Sequence, residues 1–116
     1  MIMDERYYAL LEKLWHCALS CEKCATAGLG SGHAGSLVSS IRLSQDCADI
    51  CFQLVRAIKR RSELVAPLLQ VCAYICQLCA EACGNHSEDA CQQCAAACMH
   101  CSEACGELTE VKFKTT

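Results

Sequence analysis

The reactive groups of this chain are its thiols. Fourteen cysteines stand at Cys17, Cys21, Cys24, Cys47, Cys51, Cys72, Cys76, Cys79, Cys83, Cys91, Cys94, Cys98, Cys101 and Cys105. Their spacing is regular. Cys17/Cys21, Cys47/Cys51, Cys72/Cys76, Cys79/Cys83, Cys94/Cys98 and Cys101/Cys105 are four residues apart, and Cys21/Cys24, Cys76/Cys79, Cys91/Cys94 and Cys98/Cys101 are three apart. On a helix such pairs share one face with Cβ atoms roughly 5–6 Å apart. A disulfide wants Cβ atoms roughly 3.5–4.5 Å apart. The spacing therefore favours a metal bridging two sulfurs over a disulfide within a helix.

The elements that carry these thiols are four segments of helical period. The first spans about 4–27, with a seam of Tyr7, Leu10, Leu14, Cys17, Cys21 and Cys24, and ends in the stretch Gly28-Leu29-Gly30-Ser31-Gly32. The second runs from about 33–36 to Arg60 on the seam Leu37, Ser40, Ser44, Cys47, Cys51, Leu54 and Ile58. Lys59-Arg60-Arg61-Ser62 follows, a solvated turn whose cations suit a helix C-terminus and whose Ser62 suits an N-cap. The third covers about 63–83 on Val65, Leu69, Cys72, Cys76, Cys79 and Cys83, with Pro67 early enough to cost little and Gly84-Asn85 as a stop. The fourth starts after Ser87, with Glu88 and Asp89 in its first turn, on Cys91, Cys94, Cys98, Cys101, Cys105 and Leu108. A tail from about 109 is expected to fray. Steps of three and four give the 3.5-residue period of knobs-into-holes packing. Short loops between four such helices predict an all-α, antiparallel up-down four-helix bundle with a Cys-lined core, as one domain over 1–116.

Every cysteine falls on a seam. A few buried thiols are ordinary core residues, but a core made mostly of Cys is thinly packed beside Leu or Ile and forgoes burial free energy. About 12% Cys ordinarily suggests a secreted disulfide scaffold. Such scaffolds are short and loop-rich, whereas this chain has one Pro, six Gly and long helical patterns. The opening MIMDERYYALLEKLWHC carries Asp4 and Glu5 and shows no basic-then-apolar export pattern. The expected compartment is the cytoplasm, which keeps thiols reduced. A net charge of −3 and few aromatics exclude a nucleic-acid partner. No apolar run is expected to reach the roughly 18–20 residues that span a membrane.

Soft thiolates select Cu(I), Zn(II) or Fe–S clusters. Zinc takes closed tetrahedral sets of four, usually carried on turns. Iron–sulfur motifs place cysteines on loops around a cluster. A continuous stripe on helices suits Cu(I), which accepts two or three thiolates and shares them, so that capacity approaches about one ion per Cys. Each Cu(I) that replaces a thiol proton also keeps the core near neutral. The leading function is storage of many Cu(I) ions; a zinc or general soft-metal thiol buffer and an Fe–S electron-transfer protein are the alternatives. No Ser/His/Asp set or carboxylate pair points to an enzyme.

The two ends of the bundle are expected to differ. Tyr7, Leu10, Leu14, Leu54, Ile58, Val65 and Leu69 collect at one end and plug it. Cys24, Ser40, Ser44, Cys83 and Cys91 collect near the other, where His33 and His86 are candidates for admitting metal. His16 and His100 point about 100° off the seam and are read as surface or flanking residues, and Met99, also off the seam, as packing between bundles. Trp15, Tyr8 and Tyr74 beside the seam suit partial burial or a subunit interface.

These motifs resemble a known family. CALSCEKC in the first helix, CADIC in the second, CAYICQLCAEAC in the third and CQQCAAACMHCSEAC in the fourth are similar to the cytosolic branch of the bacterial copper storage proteins, over about Tyr7–Leu108. The resemblance implies a four-helix bundle filled with Cu(I) thiolates, homotetramers, and storage of copper rather than catalysis. Copper ions are the implied partners, with copper chaperones as candidate protein partners. Exported members carry a twin-arginine signal, which is absent here, and some cytosolic relatives have thiols where this chain has Ser40 and Ser44.

Overall fold

The computed structural model describes residues 5–32 and 34–114. Helix α1 spans Glu5–Leu29, α2 Ala34–Lys59, α3 Val65–Gly84 and α4 Asp89–Lys114. Each turns back on its predecessor through a short loop. Helix α1 packs on α2 and α4, and α3 packs on the same two, which makes a square up-down bundle measuring 48 × 23 × 19 Å. The expected all-α architecture is the observed one.

The seam residues form the core because side chains three and four apart on a helix share a face. All fourteen cysteines are buried. Beside them, Ala18, Ala48, Ala57, Ala80, Ala97 and Ala104 are also buried, so the helices meet laterally on small side chains. Leu10, Leu14, Leu54, Ile58, Val65, Leu69 and Leu108 are buried where α1 begins and α4 nears its end, and they form the apolar plug. Each such side chain contributes roughly 1.5–3 kcal/mol on burial, which offsets the weaker contribution of the thiol section.

Several boundaries differ from the sequence expectation, each for a local reason. Helix α1 continues through Gly28, which is buried against α2; a Cβ there would lie 2.9 Å from Ile41 Cγ1, so the absence of a side chain lets the two helices approach. Helix α4 runs on to Lys114 instead of fraying from about 109. Helix α3 starts at Val65, because Ser62 Oγ accepts the Leu64 N–H at 3.1 Å in a turn of its own and leaves the N-cap position to Leu64, which makes no side-chain cap bond. Helix α3 is also apolar enough by composition to span a membrane, with a mean hydropathy of 1.4 over its best window, contrary to expectation. The cause is its pairing of a thiol seam with apolar flanks such as Leu68, Val71 and Ile75.

The α2 C-terminus closes in a Schellman motif. The Ser62 N–H donates to Ala57 O at 2.8 Å and the Arg61 N–H to Ile58 O at 3.1 Å. That geometry places Arg61 at φ 55°, the left-handed position that glycine usually fills. A non-glycine residue there carries roughly 1–2 kcal/mol of strain, part of which the entropy of a glycine in the unfolded chain would cancel. Arg61→Gly is therefore expected to stabilise the metal-free protein by about 0.5–1 kcal/mol, measured as a raised denaturant midpoint with an unchanged m-value.

Candidate metal centre

The thiols converge on the bundle axis and meet across helices more than along them. Cys17 Sγ of α1 lies 3.8 Å from Cys47 of α2, 3.9 Å from Cys76 of α3 and 3.7 Å from Cys98 of α4. Cys47 and Cys76 are 3.5 Å apart. Contacts within a helix are fewer: Cys72–Cys76, Cys79–Cys83 and Cys94–Cys98 each measure 3.9 Å. The spacing in sequence predicts stripes along each helix. The structure adds that four stripes on one axis interleave into layers.

Five groups of thiols have all their sulfurs within 4.8 Å of one another. From the open end they are Cys24/Cys83/Cys94, then Cys21/Cys79/Cys94/Cys98, Cys17/Cys21/Cys47/Cys98, Cys17/Cys51/Cys76/Cys101 and Cys72/Cys101/Cys105. Each group shares a member with the next: Cys94, then Cys21 and Cys98, then Cys17, then Cys101. Cys91 joins the series at 3.6 Å from Cys24. The fourteen thiols thus form one connected column, about 21 Å long from the rise of α4 between Cys91 and Cys105. Closed sets of four do occur, contrary to the expectation from spacing, because each is assembled from sulfurs on different helices.

Sharing separates the chemistries available to such a column. Isolated tetrahedral sites need disjoint sets of four ligands. At most two of the four-sulfur groups are disjoint, Cys17/Cys51/Cys76/Cys101 and Cys21/Cys79/Cys94/Cys98. They would leave Cys24, Cys47, Cys72, Cys83, Cys91 and Cys105 unused. Bridging thiolates, by contrast, employ every sulfur in the column.

The open end carries the only buried hydroxyls among the described residues. Ser44 is fully buried, with Oγ 3.5 Å from Cys83 Sγ, 3.6 Å from Cys79 and 3.9 Å from Cys94. Ser40 Oγ donates to Ala82 O at 3.4 Å and lies 3.0 Å from Nε2 of the half-buried His86. His86 therefore stands at the mouth, tied to α2. The α3–α4 loop is held there by Gln92, whose side-chain N–H donates to Gly84 O at 3.2 Å and also to His86 O. His33 lies outside the described residues. His16 and His100 line an external groove between α1 and α4, with Glu12, Glu103 and Glu107, and join none of the five thiol groups. Tyr8, Trp15, Tyr74 and Met99 are exposed, and Trp15 packs edge-on against Phe52 with ring centroids 5.5 Å apart.

Without metal the buried thiols do not shift alike: Cys17, Cys47, Cys72, Cys83, Cys98 and Cys101 are pulled down among their thiol neighbours, while Cys21, Cys24, Cys51, Cys76, Cys91, Cys94 and Cys105 are pushed up. Burial, joined by the neighbouring Cys24, pushes Cys91 from its ordinary 9.0 up to about 12. At the inner end Cys105 is raised by hydrogen bonding to Cys101 and Cys72, and then by burial. A group whose folded pKa is raised favours the fold while it stays protonated in both states, and opposes it once the unfolded chain ionises first. The metal-free bundle is therefore expected to lose stability as pH climbs from about 9 toward 12. Urea melts of the reduced, metal-free protein across that range check this.

Comparison with known proteins agrees with the geometry. The copper storage protein family matches residues 3–110. A cysteine-rich protein of Bacillus subtilis (strain 168), YhjQ, is 37% identical over 90 residues, 78% of this chain and 83% of the relative. The Cu(I)-bound copper storage protein BsCsp3 of Bacillus subtilis superposes with a TM-score of 0.87 at 35% identity, over 90% of this chain and 99% of that one. A cytosolic copper storage protein from Streptomyces lividans, solved with five coppers, gives 0.88 at 32% identity, over 91% and 93%. With its buried thiol column, its four-helix architecture and this match along nearly its whole length, the chain belongs to the copper storage protein family.

Proposed function

We propose that this protein stores copper as Cu(I) in its axial thiol column, and that all fourteen cysteines serve as ligands. The observation that carries this is the overlap of the five sulfur groups, which permits each thiolate to bridge two ions. Bridging brings capacity toward one Cu(I) per cysteine, about 14 per chain. Each ion displaces one thiol proton, so a filled column stays near neutral and avoids the heavy cost of buried charge. Zinc is the second reading, because sulfurs 3.5–3.9 Å apart match the edges of a tetrahedron with Zn–S near 2.3 Å. It is limited to about two ions per chain and leaves two net negative charges on each.

Metal enters at the end marked by His86, since the opposite end is closed by the apolar plug, and His33 is the second candidate for admitting it. The role is storage in the cytoplasm rather than catalysis, in keeping with the cytosolic relative from Streptomyces lividans. Exposed apolar residues on two helices, Trp15 and Leu19 on α1 and Val71 and Tyr74 on α3, supply surface for a homotetramer. Copper chaperones are the delivery partners this reading requires, because a free soft ion does not persist among cellular thiols.

Anaerobic titration of the reduced protein with Cu(I), read against a coloured chelator, is expected to saturate near one ion per cysteine. Saturation at two or three ions would defeat the storage reading. The variant with both His33→Ala and His86→Ala is expected to load to the same capacity at a lower rate, followed by stopped-flow absorbance of the Cu–S charge-transfer band. An unchanged rate would remove the histidines from the path.

A further inference from the structure

The column is not uniform. Helix α2 contributes Cys47 and Cys51 to its inner part, but its seam continues toward the mouth as Ser44 and Ser40. Ser44 is fully buried and sits in the column at ligand position. Its Oγ is within 3.5–3.9 Å of three sulfurs, Cys83, Cys79 and Cys94, the separation that the thiols themselves keep. The outermost group, Cys24/Cys83/Cys94, has three sulfurs with the Ser44 hydroxyl beside two of them, whereas the next three groups have four sulfurs and the innermost, Cys72/Cys101/Cys105, has three with no hydroxyl among the described residues bonded to its sulfurs.

Oxygen and sulfur differ sharply at such a place. A neutral serine hydroxyl is a hard, weakly donating group that keeps its proton, whereas soft Cu(I) is selected by thiolate. The Ser44 O–H can instead donate a hydrogen bond to a neighbouring thiolate. That bond withdraws electron density from the sulfur and weakens its hold on an ion. Both effects fall on Cys24/Cys83/Cys94 and on the adjoining Cys21/Cys79/Cys94/Cys98, and spare the three groups beyond.

Resting on the Cu(I) storage reading, we propose that Ser44 divides the column into an inner section that holds copper tightly and a mouth-side section from which it exchanges first, and so sets both the capacity and the order of release. Ser44 is a specificity-determining residue by the ligand it withholds. When a thiol stands in its place, the S–H proton leaves to solvent as the new Cu–S bond forms, so the added ion brings no net charge.

The test uses the full chain loaded anaerobically with Cu(I), as wild type, Ser44→Cys and Ser44→Ala. Folding of each metal-free variant is first checked by circular dichroism. Removal of copper by excess chelator is expected to be biphasic in the wild type, with a fast fraction of a few ions. In Ser44→Cys the capacity should rise by about one Cu(I) per chain, and the fast phase should slow about tenfold, the scale on which changes around a metal's immediate ligands alter its binding. Ser44→Ala should keep wild-type capacity, because the hydroxyl is no ligand. Unchanged capacity and release in a folded Ser44→Cys would overturn the proposal, as would loss of an ion in Ser44→Ala. A wild type that binds only two or three ions would instead overturn the storage reading itself.

Discussion

The contact on which the structure depends is sulfur against sulfur at 3.5–3.9 Å along a single axis. Thiol side chains are short, so four helices can bring them together only by closing in on one another. The lateral alanines and the bare flank of Gly28 make that approach feasible. The cost is a core section with little apolar volume, since Cys buries less surface than Leu or Ile. The chain compensates at the closed end, where leucines, valine and isoleucine fill the axis. Stability and metal chemistry are thereby assigned to different lengths of the same four helices.

That division explains the polarity of the molecule. Near the start of α1 and the end of α4, the axis is sealed by apolar side chains. At the other end it finishes in hydroxyls, an imidazole and the outermost thiols. The thiols between them are buried, and at Cys91, on the mouth side, burial raises the proton affinity. A soft monovalent ion satisfies such an environment because it exchanges for a proton one for one. A divalent ion bound to four thiolates would leave charge behind in a medium that tolerates it poorly.

Much of this was legible in the sequence, because a seam of period 3.5 has few other ways to bury itself. The four helices, their antiparallel order, the burial of all fourteen cysteines and the plug of Leu10, Leu14, Leu54, Ile58, Val65 and Leu69 follow from spacing alone. Layers did not, because they depend on the axial level at which one helix passes another. Cys17 meets Cys47, Cys76 and Cys98 only through the lengths of the intervening loops. The boundaries that moved are governed by non-local packing or by backbone conformation. Gly28 reads as a helix stop until Ile41 is seen beside it, and Arg61 gives no sign in sequence that it occupies a glycine-like turn. The bond between His86 and Ser40 likewise joins residues 46 apart and has no local signature.

The overlapping layers have a further consequence for scaling. A spherical container gains volume with the cube of its radius, but this one is a line of sites. One more turn on each of four helices costs about 14 residues and admits about one more layer of thiols, whatever the length already reached. Capacity per residue is therefore nearly constant, and the width of the bundle need never change. Larger holdings require taller bundles or more copies of them, so the size of a cellular reserve becomes a matter of helix length and gene expression rather than of redesigning the site.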